Sequence, residues 1–157
     1  EGPKGLALTR QNVPVLEGTK DKADEGVRRG AYVLIEGSKE TPDVILMATG
    51  SEVQLAVEAA QQLESKGIAA RVVSVPCLDW FEEQDKEYQE KVLPSEVTAR
   101  VSIEAGIAMP WYRWLGSRGR AVSLEHFGAS ADYQKLYNEF GITTDAVVAA
   151  AHDSLAS

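Results

Sequence analysis

The chain has 157 residues, of which 44% are hydrophobic, enough for one compact domain with its own core. Sixteen Lys/Arg against 24 Asp/Glu give a formal charge of −8, so no electrostatic attraction draws it to nucleic acid or anionic lipid, and neither is expected as a partner. The lone Cys77 excludes an internal disulfide, no signal peptide or membrane-length apolar stretch is present, and His126 and His152 lack Cys or His neighbours at zinc-ligand spacing.

In chain order, Leu6, Ala7 and Leu8 form a short apolar run of the kind that makes a buried strand. It breaks off into Arg10-Gln11-Asn12 and Pro14, which places Arg10 just past a carboxyl strand end, where open α/β sheets bind ligands. A planar, permanently charged guanidinium there suits a phosphate or carboxylate; the plainer alternative is a surface arginine in an ion pair. Residues 17–29 are charged, with two glycines and one large apolar residue, Val27, and read as a linker with at most one helical turn.

From Gly30 the pattern is α/β. Residues 31–35 have strand character, and 43–48 form a continuous apolar run suited to a strand covered on both faces. Thr49-Gly50 turns the chain; Ser51 is expected to cap a helix, with Gln54 completing a capping box. Val53, Ala56, Val57, Ala60 and Leu63 share one helical face, and Lys66-Gly67 closes that helix. Residues 71–75 make the next strand, parallel to the previous one through a βαβ crossover. The charged stretch 79–92 predicts a helix stopped by Pro94. Residues 99–103 and 121–124 predict two further strands, with Pro110 in the first turn of a short helix between them that ends before Gly116. Residues 132–140 predict a helix closed by Gly141, and Thr143 caps a last one with Val147, Val148, Ala151 and Leu155 on one face. Five strands alternating with helices give a three-layer α/β/α domain.

Few residues stand out for chemistry. Gly50-Ser51-Glu52 lies at a strand-to-helix turn, but one glycine makes neither a dinucleotide nor a P-loop pattern, and Glu52 in the first turn uses the helix dipole and repels a phosphate. The basic turn at 117–120 reads as solvated. Glu125 and His126 invite an acid–base interpretation, yet adjacent strand residues point to opposite faces, and His126 reads more simply as a satisfied polar residue. Trp80, Trp111 and Trp114 are expected to pack a core or a subunit interface, and Cys77 to behave as an inert small hydrophobe.

The run Leu8-Thr9-Arg10-Gln11-Asn12-Val13-Pro14-Val15-Leu16 resembles the [ST]-R-Q-N-x-P-x-L segment of transketolases. Three more segments match in order: Pro42-Asp43-Val44-Ile45-Leu46-Met47-Ala48-Thr49-Gly50-Ser51-Glu52-Val53, Ala70-Arg71-Val72-Val73-Ser74-Val75-Pro76 and Phe127-Gly128-Ala129-Ser130. The resemblance covers nearly this whole chain but only the last quarter of such an enzyme, and a chain starting at Glu1 fits a piece of a longer, bacterial-type polypeptide. It implies that residues 1–16 end a preceding pyrimidine-binding domain, 17–29 link, and 30–157 form the C-terminal domain, a mostly parallel five-stranded sheet whose first strand runs against the others.

It also implies a cytoplasmic, homodimeric parent of the pentose phosphate pathway that moves a two-carbon ketol unit between sugar phosphates. Thiamine diphosphate and Mg2+ (or Ca2+) would be held by the other domains, because the Gly-Asp-Gly motif for the diphosphate is absent here. Of the family's functional residues only the phosphate-contacting arginine maps onto this chain, at Arg10. The domain alone would then be inactive, supporting the dimer and the substrate entrance. Two alternatives stand: a module for a regulatory ligand or for assembly, or the same domain of a related thiamine enzyme such as dihydroxyacetone synthase.

Overall fold

The computed structural model describes Pro3 and residues 5–157; Glu1, Gly2 and Lys4, within the expected 1–16 segment, lie outside the described residues. Strand β2 (Val44–Ala48) is buried at all five positions, so it needs cover on both faces, and the fold supplies it. Parallel neighbours β3 (Ala70–Ser74) and β4 (Arg100–Ile103) flank β2, β5 (Arg120–Val122) pairs parallel with β4, and β1 (Tyr32–Ile35) runs antiparallel along β3. The strand order is β1-β3-β2-β4-β5, the mixed sheet with one reversed strand that the resemblance implied.

The pleat sorts the core into two layers. Val44, Leu46 and Ala48 face helices α2 (Val53–Ser65) and α7 (Thr144–Leu155), where Ala56, Ala59 and Ala60 meet Val147, Val148 and Ala151. Ile45 and Met47 face the other layer, built on α3 (Leu78–Glu82), α4 (Lys86–Val92) and α5 (Tyr112–Leu115). There the Phe81 and Trp114 rings lie 4.7 Å apart, and Trp111 is buried with them. Helix α6 (Tyr133–Glu139) starts at Asp132, whose carboxylate accepts from the Gln134 amide, and Thr143 caps α7 through the Ala146 amide.

Three expectations need correction. Residues 17–29 hold an 11-residue helix, α1 (Thr19–Arg29), rather than a single turn. Its buried contact is Gly26, where a Cβ would stand 2.4 Å from the Tyr32 ring, so no apolar stripe announces it. Lys22 Nζ donates to the Leu34 carbonyl at 2.9 Å, and Asp24–Arg28 and Glu25–Arg29 pair one turn apart on the wet face.

The 79–92 helix is two helices, because Asp85 caps the start of α4 through the Tyr88 amide. Buried Gln89 closes the break by donating to the carbonyls of Phe81, Glu82 and Gln84.

The run Leu6–Leu8 is no strand. Leu6 is 83% and Leu8 76% exposed, and the segment is not among the five strands of the sheet. An apolar run becomes a strand only where a neighbour takes its backbone hydrogen bonds.

Gly30 ends α1 at φ 83°, and a Cβ there would sit 2.3 Å from the Cys77 carbonyl oxygen and 2.4 Å from the Phe81 nitrogen. Gly30→Ala should therefore cost roughly 2–5 kcal/mol, combining a left-handed backbone with overpacking, read as a lower denaturation midpoint at unchanged slope.

The loop before β2 is tied down by carboxylates. Asp43 accepts from Lys39 Nζ at 2.7 Å and from the Ala69 amide at 2.7 Å; Glu64 accepts from the amides of Ser38 and Ala70. The Lys39 hydrogen bond, then the Ala69 amide, holds Asp43 below its usual value, and Ser38, then Ala70, does the same for Glu64. Both bind a proton less readily when folded. Their contribution is thus present above the unfolded values of about 4 and is lost as the pH falls through the lower folded values. Melting temperature should decline in acid, and Asp43→Asn should flatten part of that decline while lowering the plateau at neutral pH.

Candidate functional site

The carboxyl ends of β2, β4 and β5 each lead into a glutamate, and each of the three carboxylates is spent on holding a loop. Glu52 follows β2 in a short 3-10 turn, Gly50–Glu52, that runs into α2. It is 5% exposed. One carboxylate oxygen, Oε1, accepts from the Tyr137 hydroxyl and from Ser51 Oγ, both at 2.5 Å; the other, Oε2, accepts from the Ala105 amide at 3.1 Å. Three separate parts of the chain, the α2 entry, the β4 exit and α6, meet on this one side chain.

Glu104, after β4, accepts from Trp111 Nε1 at 2.7 Å. Glu125, after β5, accepts from the Ala108 amide at 2.8 Å. Residues 104–111 are therefore stitched to the sheet by three carboxylates, and the Leu124 amide adds a bond to the Gly106 carbonyl. Charged acceptors paired this way make stronger hydrogen bonds than neutral ones.

Tyr137 is the hub on the α6 side. Burial, followed by its bond to Glu52, pushes its phenol above the ordinary value, so the hydroxyl keeps its proton across the working range. The Gln11 side chain lies against the same hydroxyl. Its amide nitrogen is buried and forms no hydrogen bond among the described residues. Gln11 is half-buried, whereas Gly5–Arg10 and residues 12–15 are exposed. Arg10 is exposed beside it and makes no ion pair among the described residues.

Ser51 does not form the expected capping box: its hydroxyl goes to Glu52, and α2 begins without a side-chain cap. Glu52, expected in the first helical turn, is a buried structural acceptor. The 117–120 turn is not merely solvated either. Arg118 donates to Thr98 Oγ1 and to the Ser154 and Leu155 carbonyls, holding the end of α7, where a cation also meets the helix dipole.

Glu125 and His126 take separate partners. The His126 ring stands edge-on to Phe140 at 4.8 Å, and its Nδ1 lies 2.8 Å from the Phe127 carbonyl. Trp111 and Trp114 are core residues, while Trp80 and Cys77 are half-buried. Among the described residues no group of three or more His, Cys, Asp or Glu could hold a metal.

The spacing of Leu136, Tyr137 and Phe140 marks the half-buried face of α6, so the inward turn of Tyr137 was readable from the sequence, although Tyr133 on the same spacing is exposed. Its partner Glu52, 85 residues away, was not.

Glu52→Ala should leave the Tyr137 hydroxyl, Ser51 Oγ and the Ala105 amide without their acceptor. It should cost roughly 2–5 kcal/mol, more than Glu52→Gln, which keeps one carbonyl oxygen in place; urea denaturation of both variants measures this.

A model of the "Transketolase-like TK C-terminal domain" matches residues 30–143. A transketolase of Mycobacterium leprae is 57% identical over 157 residues, covering 98% of this chain and 22% of that protein. Among solved structures, a transketolase from Leishmania mexicana aligns over 94% of this chain and 20% of its own, at 37% identity and a TM-score of 0.84. A transketolase from Pichia stipitis in complex with sedoheptulose-7-phosphate aligns over the same shares, at 37% identity and a TM-score of 0.78. The chain thus spans about a fifth of the length of the relatives it matches. On its sheet order, its fold and the family match over most of its length, the chain belongs to the transketolase-like C-terminal domain family.

Proposed function

We propose that this chain is the C-terminal part of a transketolase, and that Arg10 anchors the phosphate of a sugar-phosphate substrate. The observation that carries the proposal is an exposed guanidinium with no ion pair among the described residues, beside the half-buried Gln11. Most arginines near a carboxylate neutralise themselves; this one keeps its fork of donors available for a planar or tetrahedral oxyanion. The Pichia stipitis relative, solved with a sugar phosphate, supports the same substrate class.

The whole polypeptide would transfer a two-carbon ketol unit from a ketose phosphate to an aldose phosphate, in the cytoplasm and as a homodimer. Thiamine diphosphate with Mg2+ (or Ca2+) supplies the electron sink for such chemistry. The residues of this chain do not fit that group: Gly-Asp-Gly is missing, and the carboxylates Glu52, Glu104 and Glu125 are each occupied by protein donors. What this chain contributes is binding. A contact far from the reacting carbonyl fixes the substrate's long axis, and that binding energy positions the carbonyl for reaction. Residues 1–16 then close the preceding domain, and 30–157 form the C-terminal domain that supports the dimer and the substrate entrance.

In the full-length enzyme, Arg10→Ala should lower kcat/KM for phosphorylated substrates by about one to two decades, the worth of a charge-assisted hydrogen-bonded contact. With hydroxypyruvate as donor and an unphosphorylated aldehyde as acceptor, it should change little. Steady-state kinetics on both substrate pairs, with thermal melting as control, checks this. Equal losses on both pairs, or none, would remove Arg10 from the site.

A further inference from the structure

We propose that Ile107, Met109, Tyr112 and Phe127 form a docking surface, and that its occupant is the part of the same polypeptide that precedes residue 1. The proposal rests on the reading of this chain as the C-terminal part of a longer enzyme and names where the rest of that enzyme lies against it.

These side chains are out of keeping with the surface around them. Phe127 is 99% exposed, Met109 67%, Tyr112 62% and Ile107 48%. A single apolar side chain in water needs no explanation, but a group of aromatic and long aliphatic ones marks an interaction site. Two loops sewn to one another bring the group together. The Ala108 amide donates to Glu125 at 2.8 Å, and the Leu124 amide donates to the Gly106 carbonyl at 2.8 Å. Ile107 and Met109 flank Ala108 on one loop, and Phe127 follows Glu125 closely on the other. Buried Trp111 donates its indole N–H to Glu104 and so fixes the turn that carries Tyr112. The patch is thus presented in a set shape, and a surface already in place loses little freedom when a partner covers it.

Charge and the course of the polypeptide decide what covers it. The chain carries a formal charge of −8, so two copies repel and a second copy is the poorer occupant. The chain accounts for 22% of the Mycobacterium leprae relative. As the C-terminal part of a protein of that size, it has most of the polypeptide ahead of residue 1. The segment through which that polypeptide arrives is uncovered in the same way: Leu6, Leu8, Val13 and Val15 are all exposed. Apart from Val27 and Tyr133, every exposed large hydrophobic side chain among the described residues lies in this segment or in the patch. A tethered partner acts at an effective concentration set by the connection, so a patch of a few side chains suffices to hold it.

Thiol labelling of the full-length enzyme tests the proposal, in a Cys77→Ser background with mass spectrometry reading each site. Met109→Cys and Phe127→Cys place probes in the patch. Lys66→Cys, exposed beyond the C-terminal end of α2 at the opposite edge of the sheet, is the open reference. Both patch probes should react roughly tenfold or more slowly than the reference, at every protein concentration. Because cysteine is smaller than the side chains it replaces, peroxide oxidation of Met109 in the unsubstituted enzyme gives a second readout: slow in the folded enzyme, and as fast as a free methionine in urea. Patch probes as reactive as the reference, with Met109 oxidised rapidly in the folded enzyme, overturn the proposal. Protection that disappears on dilution overturns the choice of occupant and assigns the patch to a second copy. Transketolase activity in the same preparation keeps the two readings apart. An active enzyme with an open patch sinks this proposal alone, whereas an inactive one with a covered patch supports it and sinks the catalytic reading.

Discussion

Burial of β2 on both faces is the constraint from which the architecture follows. A strand with no wet face has to sit inside a sheet, with parallel neighbours on each side and a helical layer above and below. The alternation of Val44, Leu46 and Ala48 with Ile45 and Met47 sends half its side chains into each layer, so both cores are indexed to one five-residue segment. The layers are packed differently. On the α2–α7 side, alanines let two helices lie close to the sheet and to each other; on the opposite side three short helices leave more space, and Phe81, Trp111 and Trp114 fill it.

The same constraint locates the polar chemistry. Every parallel strand ends at one edge, and the backbone leaving that edge has lost its ladder partners. Here carboxylates placed just beyond β2 and β5, Glu52 and Glu125, accept from the Ala105 and Ala108 amides of the chain leaving β4, and Glu104 accepts from the Trp111 indole. A buried carboxylate is tolerable only where donors converge on it, and Glu52 has three. Such a knot joins distant segments with a directionality that apolar packing lacks, which suits it to setting the position of something outside the core.

The uneven legibility of the sequence has the same physical source. The β2 run, the apolar face of α2 and the Thr143 cap depend on residues near one another in the chain, and all three were readable. Helix α1 escaped because its buried contact is made by Gly26, which carries no hydrophobic signal. The break between α3 and α4 is closed by Gln89 donating across it, a polar event inside a charged stretch that reads as continuous helix. Glu52 escaped for the reverse reason. A glutamate in a first turn reads as a partner of the helix dipole until Tyr137 and Ala105 are brought to it by the fold. The segment before α1 showed a strand pattern, but pattern is only half of a strand, and the other half is a neighbouring backbone. The candidacy of Arg10 came from family resemblance alone, whereas the half-burial of Gln11 beside it became visible only in three dimensions.

An acidic domain with a proposed anionic substrate faces a conflict, which bears on how its charges are arranged. The chain carries a formal charge of −8, and the edge of the sheet nearest Gln11 is lined by glutamates. Left free, those carboxylates would either capture Arg10 or repel a phosphate brought to it. Each is instead engaged by a donor from the protein, two backbone amides, an indole, a phenol and a serine hydroxyl among them, so their acceptor capacity is turned inward. Gln11, beside the arginine, carries a neutral amide and is the one half-buried residue between residues 5 and 15. A carboxylate there would place another negative charge beside the proposed phosphate anchor. A neutral residue there is silent in charge and leaves the guanidinium unspent.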